Sequence, residues 1–268
     1  MGSEIMTKEE LQASVDAIPY FYHRIELPHG IVTPGWAPIN PAAYRIPEDL
    51  TGKTVLDVGA WDGYWTFEAI KRGAYTVTSV DDFSDTVGAV TNADRSGMWE
   101  TLELCAKSMG FIKHRERPLT YKRQSQSSAD ILIHCMNADI QDDRDCACLG
   151  RADVAFLFGV LYHLKNPMQS LENVREILHK NGTIHIETAI LDGCQSAYTN
   201  KGYTSDDCCF EFFPGDEYGM NHSNWWVGTL KAWCGLVEAA GFKNIESWKL
   251  TDNPKHVSEA RGFIRASV

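Results

Sequence analysis

The chain of 268 residues has no apolar run near the roughly 18 residues that a membrane-spanning helix needs, so no membrane association is expected. Its first ten residues, MGSEIMTKEE, lack both a basic start and an apolar stretch. A secretory leader is therefore not expected, and a cytoplasmic location is. Met6 stands where a myristoylation signal requires Ser or Thr. Basic charge is scarce, with 25 Lys and Arg against 36 Asp and Glu, a net charge of −11. That balance disfavours a protein whose affinity comes from neutralising phosphates, and favours a small-molecule partner. The exception is Lys113 to Arg123 (KHRERPLTYKR), which reads as a solvated loop or a local nucleic-acid patch. The eight cysteines include Cys146-Ala-Cys148 and Cys208-Cys209, but no pair has the two-residue gap of a zinc knuckle. No metal and no disulfide framework are expected.

Hydrophobic residues make up 44% of the chain, enough for a sizeable core. Residues 7–18 predict a short amphipathic helix with Leu11, Val15 and Ile18 on one face. Residues 19–50 are rich in proline, glycine and aromatics, which excludes a long helix and predicts a wrap or lid. From residue 54, short apolar strands alternate with helices. Strands are expected at 54–58, 75–80, 131–136, 154–158, 183–188, 244–250 and 261–266. Helices are expected at 63–72, 99–109, 168–179 and 229–240. This alternation predicts an α/β, Rossmann-like fold with a mostly parallel sheet, helices on both faces and an antiparallel strand near the C-terminus. The expected organisation is an N-terminal helix and aromatic lid over 1–50 and a cofactor domain over 51–268. Residues 84–128 read as a variable insertion and 192–228 as an acceptor-side insertion.

The strongest local signal is Val55-Leu56-Asp57-Val58-Gly59-Ala60-Trp61-Asp62-Gly63. A buried strand enters a turn with glycines four apart and then a helix. Gly59 allows tight turning and close approach of a ligand. Asp57, at the strand end, would meet a cationic amino group. About twenty residues on, Asp81 ends the next strand, where a carboxylate can accept hydrogen bonds from two ribose hydroxyls. Three other readings compete. A dinucleotide site wants glycine where Trp61 stands, a phosphate loop wants Gly-Lys-Ser/Thr, and an ordinary strand-turn-helix needs no ligand. Two acids beside a bare turn suit a nucleoside cofactor without phosphates.

These residues carry a resemblance. GKTVLDVGAWDGYWTFEAIKRGA followed by VD at 80–81 resembles the first motif and second strand of class I S-adenosylmethionine-dependent methyltransferases. HRIELPHGIVTPGW at 23–36, FLFGVLYHLKNPMQSLENVREIL at 156–178, GTIHIETAILDG at 182–193 and FPGDEYGMNHSNWWVGTLKAWCGLVEAAGF at 213–242 are similar to the wobble-uridine tRNA methyltransferase group and its relatives. That group uses carboxy-S-adenosylmethionine in bacteria. The resemblance implies that Gly59, Ala60, Trp61 and Gly63 hold the methionine portion, and that Asp81 and Asp82 lie at the ribose. It places Phe83 against the adenine, Ala138 and Asp139 at the adenine amino group, and Phe158 and Gly159 beside the sulfonium. Tyr162 would help read the cofactor's tail, and Arg261 would do the same job or bind the acceptor. The group's lysine for the extra carboxylate has no counterpart, since residues 11–52 contain no lysine. That favours plain S-adenosylmethionine and methyl transfer over carboxymethyl transfer.

An oxygen acceptor needs a base. His163 follows the fourth strand, His222 lies in the Gly219–Trp226 stretch, and Glu187 ends the fifth strand; each is a candidate. Trp225 and Trp226 would wall a flat or sugar-like acceptor, although neighbours in a strand face opposite ways. Trp36 and Tyr22, with Tyr20, would close the site from the wrap. The expected reaction is methyl transfer to a small molecule. Wobble-base alkylation of tRNA and a non-catalytic cofactor-fold binding module are the alternatives.

Overall fold

The computed structural model describes residues 6–37, 39–84, 99–124 and 130–268. The chain divides into two compact units, Met1–Asp81 with Ser96–Asn137, and Asp82–Arg95 with Ala138–Val268.

The first unit opens with α1 (Lys8–Ala17), started by a capping box in which Thr7 Oγ1 accepts from the Glu10 amide and Glu10 Oε2 accepts from the Thr7 amide. Leu11 and Val15 are its buried residues. The wrap contains a short α2 (Pro41–Tyr44), which begins on proline, a residue suited to a first helical turn. Then come β1 (Thr54–Val58), α3 (Tyr64–Lys71) and β2 (Thr76–Asp81). β1 and β2 run parallel, with Thr54 opposite Thr76 and Val58 opposite Val80. The unit continues with α4 (Glu100–Ser108), β3 (Ile112–Glu116), β4 (Leu119–Gln124) and β5 (Asp130–Asn137). Its strand order is β1-β2-β5-β4-β3. β5 is parallel to β2, whereas β4 and β3 are antiparallel additions.

The hairpin β3–β4 differs from the loop expected over the basic run. All five residues of β3 are exposed, so no apolar alternation marks it. Its strand character comes from pairing with β4, which is itself held against β5 from Leu119–Cys135 to Gln124–Asp130. Of the stretch read as a variable insertion, residues 85–98 and 125–128 lie outside the described residues.

The second unit contains α5 (Asp143–Cys146), β6 (Ala152–Phe158), a 3-10 turn at Leu161–His163, α6 (Pro167–Ile177) and β7 (Leu178–Ala189). After these come β8 (Phe210–Phe212), β9 (Trp226–Gly228), α7 (Leu230–Ala239), β10 (Lys243–Lys249) and β11 (Arg261–Ser267). The strand order is β6-β7-β11-β10, with β6 and β7 parallel and β11 antiparallel to both its neighbours. The expected antiparallel strand near the C-terminus is therefore β11. The small pair β8–β9 lies outside that sheet and was not expected. The core strands are nearly continuous apolar runs, as buried parallel strands require: Ala155, Phe156 and Leu157 in β6, and Ile184 and Ile186 in β7, are almost fully enclosed.

Candidate active site

In the first unit the turn after β1 is built from its backbone outward. The amides of Gly59 and Ala60 both donate to the Val80 carbonyl, at 2.8 and 3.1 Å, which binds the turn to the end of β2. Gly59, Trp61 and Gly63 all have positive φ, at 70°, 49° and 83°. For Trp61 that conformation is costly. It is held by the Trp61 amide donating to Asp81 Oδ2 at 3.0 Å. At Gly63 any Cβ would lie 2.9 Å from the Leu102 side chain, so glycine is required there twice over. Gly59 is exposed between buried Val58 and Ala60, which leaves bare backbone open at the strand end.

Asp57 is buried under this turn. Ser79 and Thr66 form a hydroxyl chain (2.7 Å) that ends with the Thr66 hydroxyl donating to Asp57 Oδ2 at 2.6 Å. Burial pushes the Asp57 carboxyl up to about 7, against the Thr66 hydrogen bond and the nearby His23, with the charge of Asp81 adding to the rise. The sequence pattern did not mark Thr66 or Ser79. Both are small hydroxyl residues that become partners only when α3 packs on β1 and β2.

The aromatics of the wrap pack on Trp61. Tyr22 and Tyr20 lie 5.1 and 6.1 Å from it, ring centre to ring centre. Trp36 stands edge-on to Tyr22 at 5.3 Å and donates its indole N–H to the Tyr20 hydroxyl at 2.6 Å. Trp36 is nevertheless 58% exposed, an oriented aromatic face open to solvent.

In the second unit, Asp82 is exposed and Phe83 is buried with φ 55°. Asp82 Oδ1 accepts from the amide and hydroxyl of Ser84. Ala138 is buried. Asp139 Oδ1 accepts from the amide and side chain of Gln141, while the Asp139 amide donates to Asp145 Oδ2. Asp139 therefore also shapes its own turn.

Phe158 ends β6, and the Gly159 amide donates to the Glu187 carbonyl at 3.0 Å. A point at the Cβ position of Gly159 lies 3.7 Å from both Glu187 Oε2 and the Tyr162 hydroxyl, so these groups face one spot. Arg261 joins them: its Nε is 3.5 Å from Glu187 Oε1 and its guanidinium lies 5.1 Å from the Tyr162 ring centre. Its Nη1 is buried with no hydrogen-bond partner among the described residues. Burial raises the Glu187 carboxyl above the usual carboxylate range, and Arg261 opposes the rise. Burial works against the charge on Arg261, but Tyr162, Glu187 and Tyr218 hold it firmly protonated. Tyr218, which the sequence reading passed over, has its hydroxyl pushed up by the same burial.

His163 lies in the 3-10 turn, with Nδ1 3.0 Å from Ser223 Oγ and 3.2 Å from the Ser223 carbonyl. A carbonyl accepts only, so Nδ1 carries a proton. His222 is exposed on the following loop. Trp225 donates its amide to the Tyr162 carbonyl and has the Lys165 ammonium 4.7 Å from its ring centre. Trp226 donates its indole N–H to the Lys165 carbonyl and lines a groove of about 930 Å³ with Phe210, Met168 and Leu236. The two tryptophans thus serve different surroundings. All eight cysteines are free, and no group of three or more His, Cys, Asp or Glu among the described residues forms a metal site. No helix among them is long and apolar enough to cross a membrane.

Parallel strands alternating with helices, with a bare glycine turn after β1 and Asp81 at the end of β2, define an α/β protein of Rossmann-like type. The family model described as Methyltransferase domain matches residues 39–247, and the chain belongs to that family, the class I S-adenosylmethionine-dependent methyltransferases. It is similar to the tRNA U34 carboxymethyltransferase of Colwellia psychrerythraea, 25% identical over 197 residues, which cover 74% of this chain and 47% of that protein. The tRNA U34 carboxymethyltransferase of Aeromonas salmonicida is 26% identical over 199 residues, covering 73% and 46%. The chain thus spans about half the length of these curated relatives. Among solved structures, the N-terminal domain of EvdMO1 in the presence of SAH and D-fucose matches with a TM-score of 0.60 and 17% identity, covering 100% of this chain and 99% of that one. The [4+2]-cyclase SpnF matches with a TM-score of 0.51 and 14% identity, covering 96% and 90%. These likenesses establish the Rossmann-like α/β methyltransferase fold.

Proposed function

We propose that the protein transfers a methyl group from S-adenosylmethionine to a hydroxyl of a small, sugar-like acceptor. The observation that carries the cofactor part is the turn at 59–63, with Trp61 tied to Asp81. Its donor set fits the cofactor. The Asp81 carboxylate at the end of β2 repels a pyrophosphate but suits ribose hydroxyls, and Trp61 fills the place where a phosphate would need glycine; Asp57, buried and bonded to Thr66, props the turn from beneath instead of meeting an ammonium group as the sequence suggested. Asp81 would hold the ribose, and the turn's backbone would hold the amino-acid end. When bound, the cofactor supplies an activated methyl group, so the protein need only align the acceptor, exclude water and take a proton.

For that proton, His163 is the base this reading favours. Its Nδ1–H is committed to Ser223, which fixes the orientation of the ring. Glu187, Arg261 and Tyr162 would orient the acceptor: a carboxylate accepts from one hydroxyl, and the unpartnered Nη1 of Arg261 donates to another oxygen. His222, being exposed, is set aside. The acceptor class draws on the end-to-end likeness to the EvdMO1 domain, whose structure was determined with D-fucose present. Titration calorimetry with S-adenosylmethionine, followed by methyl-transfer assays on a panel of monosaccharides, tests both parts. No heat on titration would remove the cofactor reading, and binding without transfer to any sugar would remove the acceptor reading.

The β3–β4 hairpin favours a second reading. It gathers Lys113, Arg115, Arg117, Lys122 and Arg123 in a chain that is otherwise acidic. Together with the relatives named for tRNA modification, it supports tRNA as acceptor. Retention of tRNA that falls steeply with salt would favour that reading. Cofactor binding with no transfer to sugar or tRNA would favour a binding module, since fold alone does not carry activity.

A further inference from the structure

Asp62 stands inside the glycine turn, yet its carboxylate takes its hydrogen bonds from the wrap. It is wholly enclosed. Oδ2 accepts from the amides of Tyr22 and His23, at 3.0 and 2.8 Å, and Oδ1 accepts from His23 Nδ1. These partners are 40 and 39 residues away in sequence. A buried carboxylate needs donors at both oxygens, and the wrap supplies all three.

The wrap is itself built to present them. The Thr33 hydroxyl donates to the His23 carbonyl at 2.6 Å and accepts from the Ile25 amide at 2.7 Å. The amides of Trp36 and Ala37 both donate to the Tyr22 carbonyl. A Cβ on Gly35 would fall 2.1 Å from the carbonyl carbon of His23, so only glycine lets the two segments close up. The His23 ring lies 5.2 Å from that of Tyr64, the first residue of α3. On either side of Asp62 stand Trp61 and Gly63, both with positive φ. A left-handed tryptophan persists only where its surroundings hold it. Asp81 holds it through the amide, and Asp62 is the next anchor along the chain.

We infer that His23 is a positioning residue for the cofactor turn, acting through Asp62. The pair keeps Trp61 and Gly63 in the conformations that leave the turn's backbone open to the amino-acid end of the cofactor. This rests on the cofactor reading above. Loss of the imidazole leaves a desolvated carboxylate with one donor fewer. The carboxylate must then swing towards water and take the turn with it.

The experiment is calorimetric titration of the full chain with S-adenosylhomocysteine, alongside thermal melts, for wild type, His23→Ala, His23→Asn and His23→Gln. Asparagine places an N–H where the imidazole Nδ1–H stood, and glutamine carries its donor one bond further out. His23→Ala and His23→Gln are expected to weaken binding at least about tenfold at a temperature where they remain folded, and His23→Asn to stay within about threefold of wild type. A merely structural role would lower melting temperatures without this pattern of loss and rescue. If His23→Ala does not fold, the comparison of His23→Asn with His23→Gln decides. Equal affinity across the folded variants overturns the inference and leaves the cofactor reading standing. A wild-type chain that gives no heat overturns both.

Discussion

The amide of Trp61 donates to Oδ2 of Asp81 across 3.0 Å, so the acid at the end of β2 also props the turn that follows β1. One carboxylate thereby couples two parts of a single cradle. Replacing Asp81 with alanine should weaken S-adenosylhomocysteine binding at least about tenfold, since charge-assisted hydrogen bonds contribute roughly 1.5–3 kcal/mol. Calorimetry on the folded variant checks this. Unchanged affinity would mean that Asp81 does not touch the ribose.

Asp57 should make stability fall as pH rises. Its folded value of about 7 lies above its ordinary 3.8, so between those limits the folded chain holds a proton that the unfolded chain has released. This contribution is fully present below pH 3.8 and lost as pH climbs to about 7, the reverse of the usual carboxylate pattern. The full effect is on the order of a few kcal/mol. Urea unfolding of Asp57→Asn across that range should show a flatter dependence than wild type. Parallel curves would refute the assignment.

Arg261 and Glu187 should be more costly to break than to replace. Removing the cation from beside the buried carboxylate is expected to destabilise by about 3–5 kcal/mol in Arg261→Ala. Adding Glu187→Gln should recover part of that loss. A double variant no more stable than Arg261→Ala would show that the 3.5 Å pair is not the source.

Gly63→Ala should destabilise by roughly 1–3 kcal/mol, because the new methyl group meets Leu102 and the backbone sits at φ 83°. A matched Leu102→Ala change should relieve the steric part only. Denaturant midpoints of the three variants separate the two causes.

His163→Gln should lower kcat for the acceptor by about two orders of magnitude or more, with S-adenosylhomocysteine affinity unchanged. The low-pH limb of the rate profile should vanish with it. A variant that keeps both turnover and that limb would shift the base role to Glu187.

Most strands and the helices of the α/β frame were legible because each carries its own periodicity. β1 was read at its observed limits, and α1 and α7 within a residue or so, since a Thr cap or a following glycine marks their ends. The hairpin β3–β4 was not legible, for its exposed charged residues carry no alternation and are strands only by virtue of β5. The glycine turn and Asp81 stood out by spacing. His23 and Asp62 did not, because nothing local links residues 39 apart. Trp225 and Trp226 looked equivalent in the chain, yet one has the Lys165 ammonium over its ring and the other donates to the Lys165 carbonyl and lines a groove.

Local chemistry alone therefore determined the alternating frame, the bare turn after the first strand and the acids beside it, because hydrophobic period and glycine spacing act over a few residues. Only tertiary structure decided that Asp62 is a socket for the wrap, that Asp57 is a buried acid near neutrality, and that Tyr162, Glu187 and Arg261 share one spot. Those properties arise from burial and from donors brought in across long stretches of chain, and desolvation has no signature in a linear sequence.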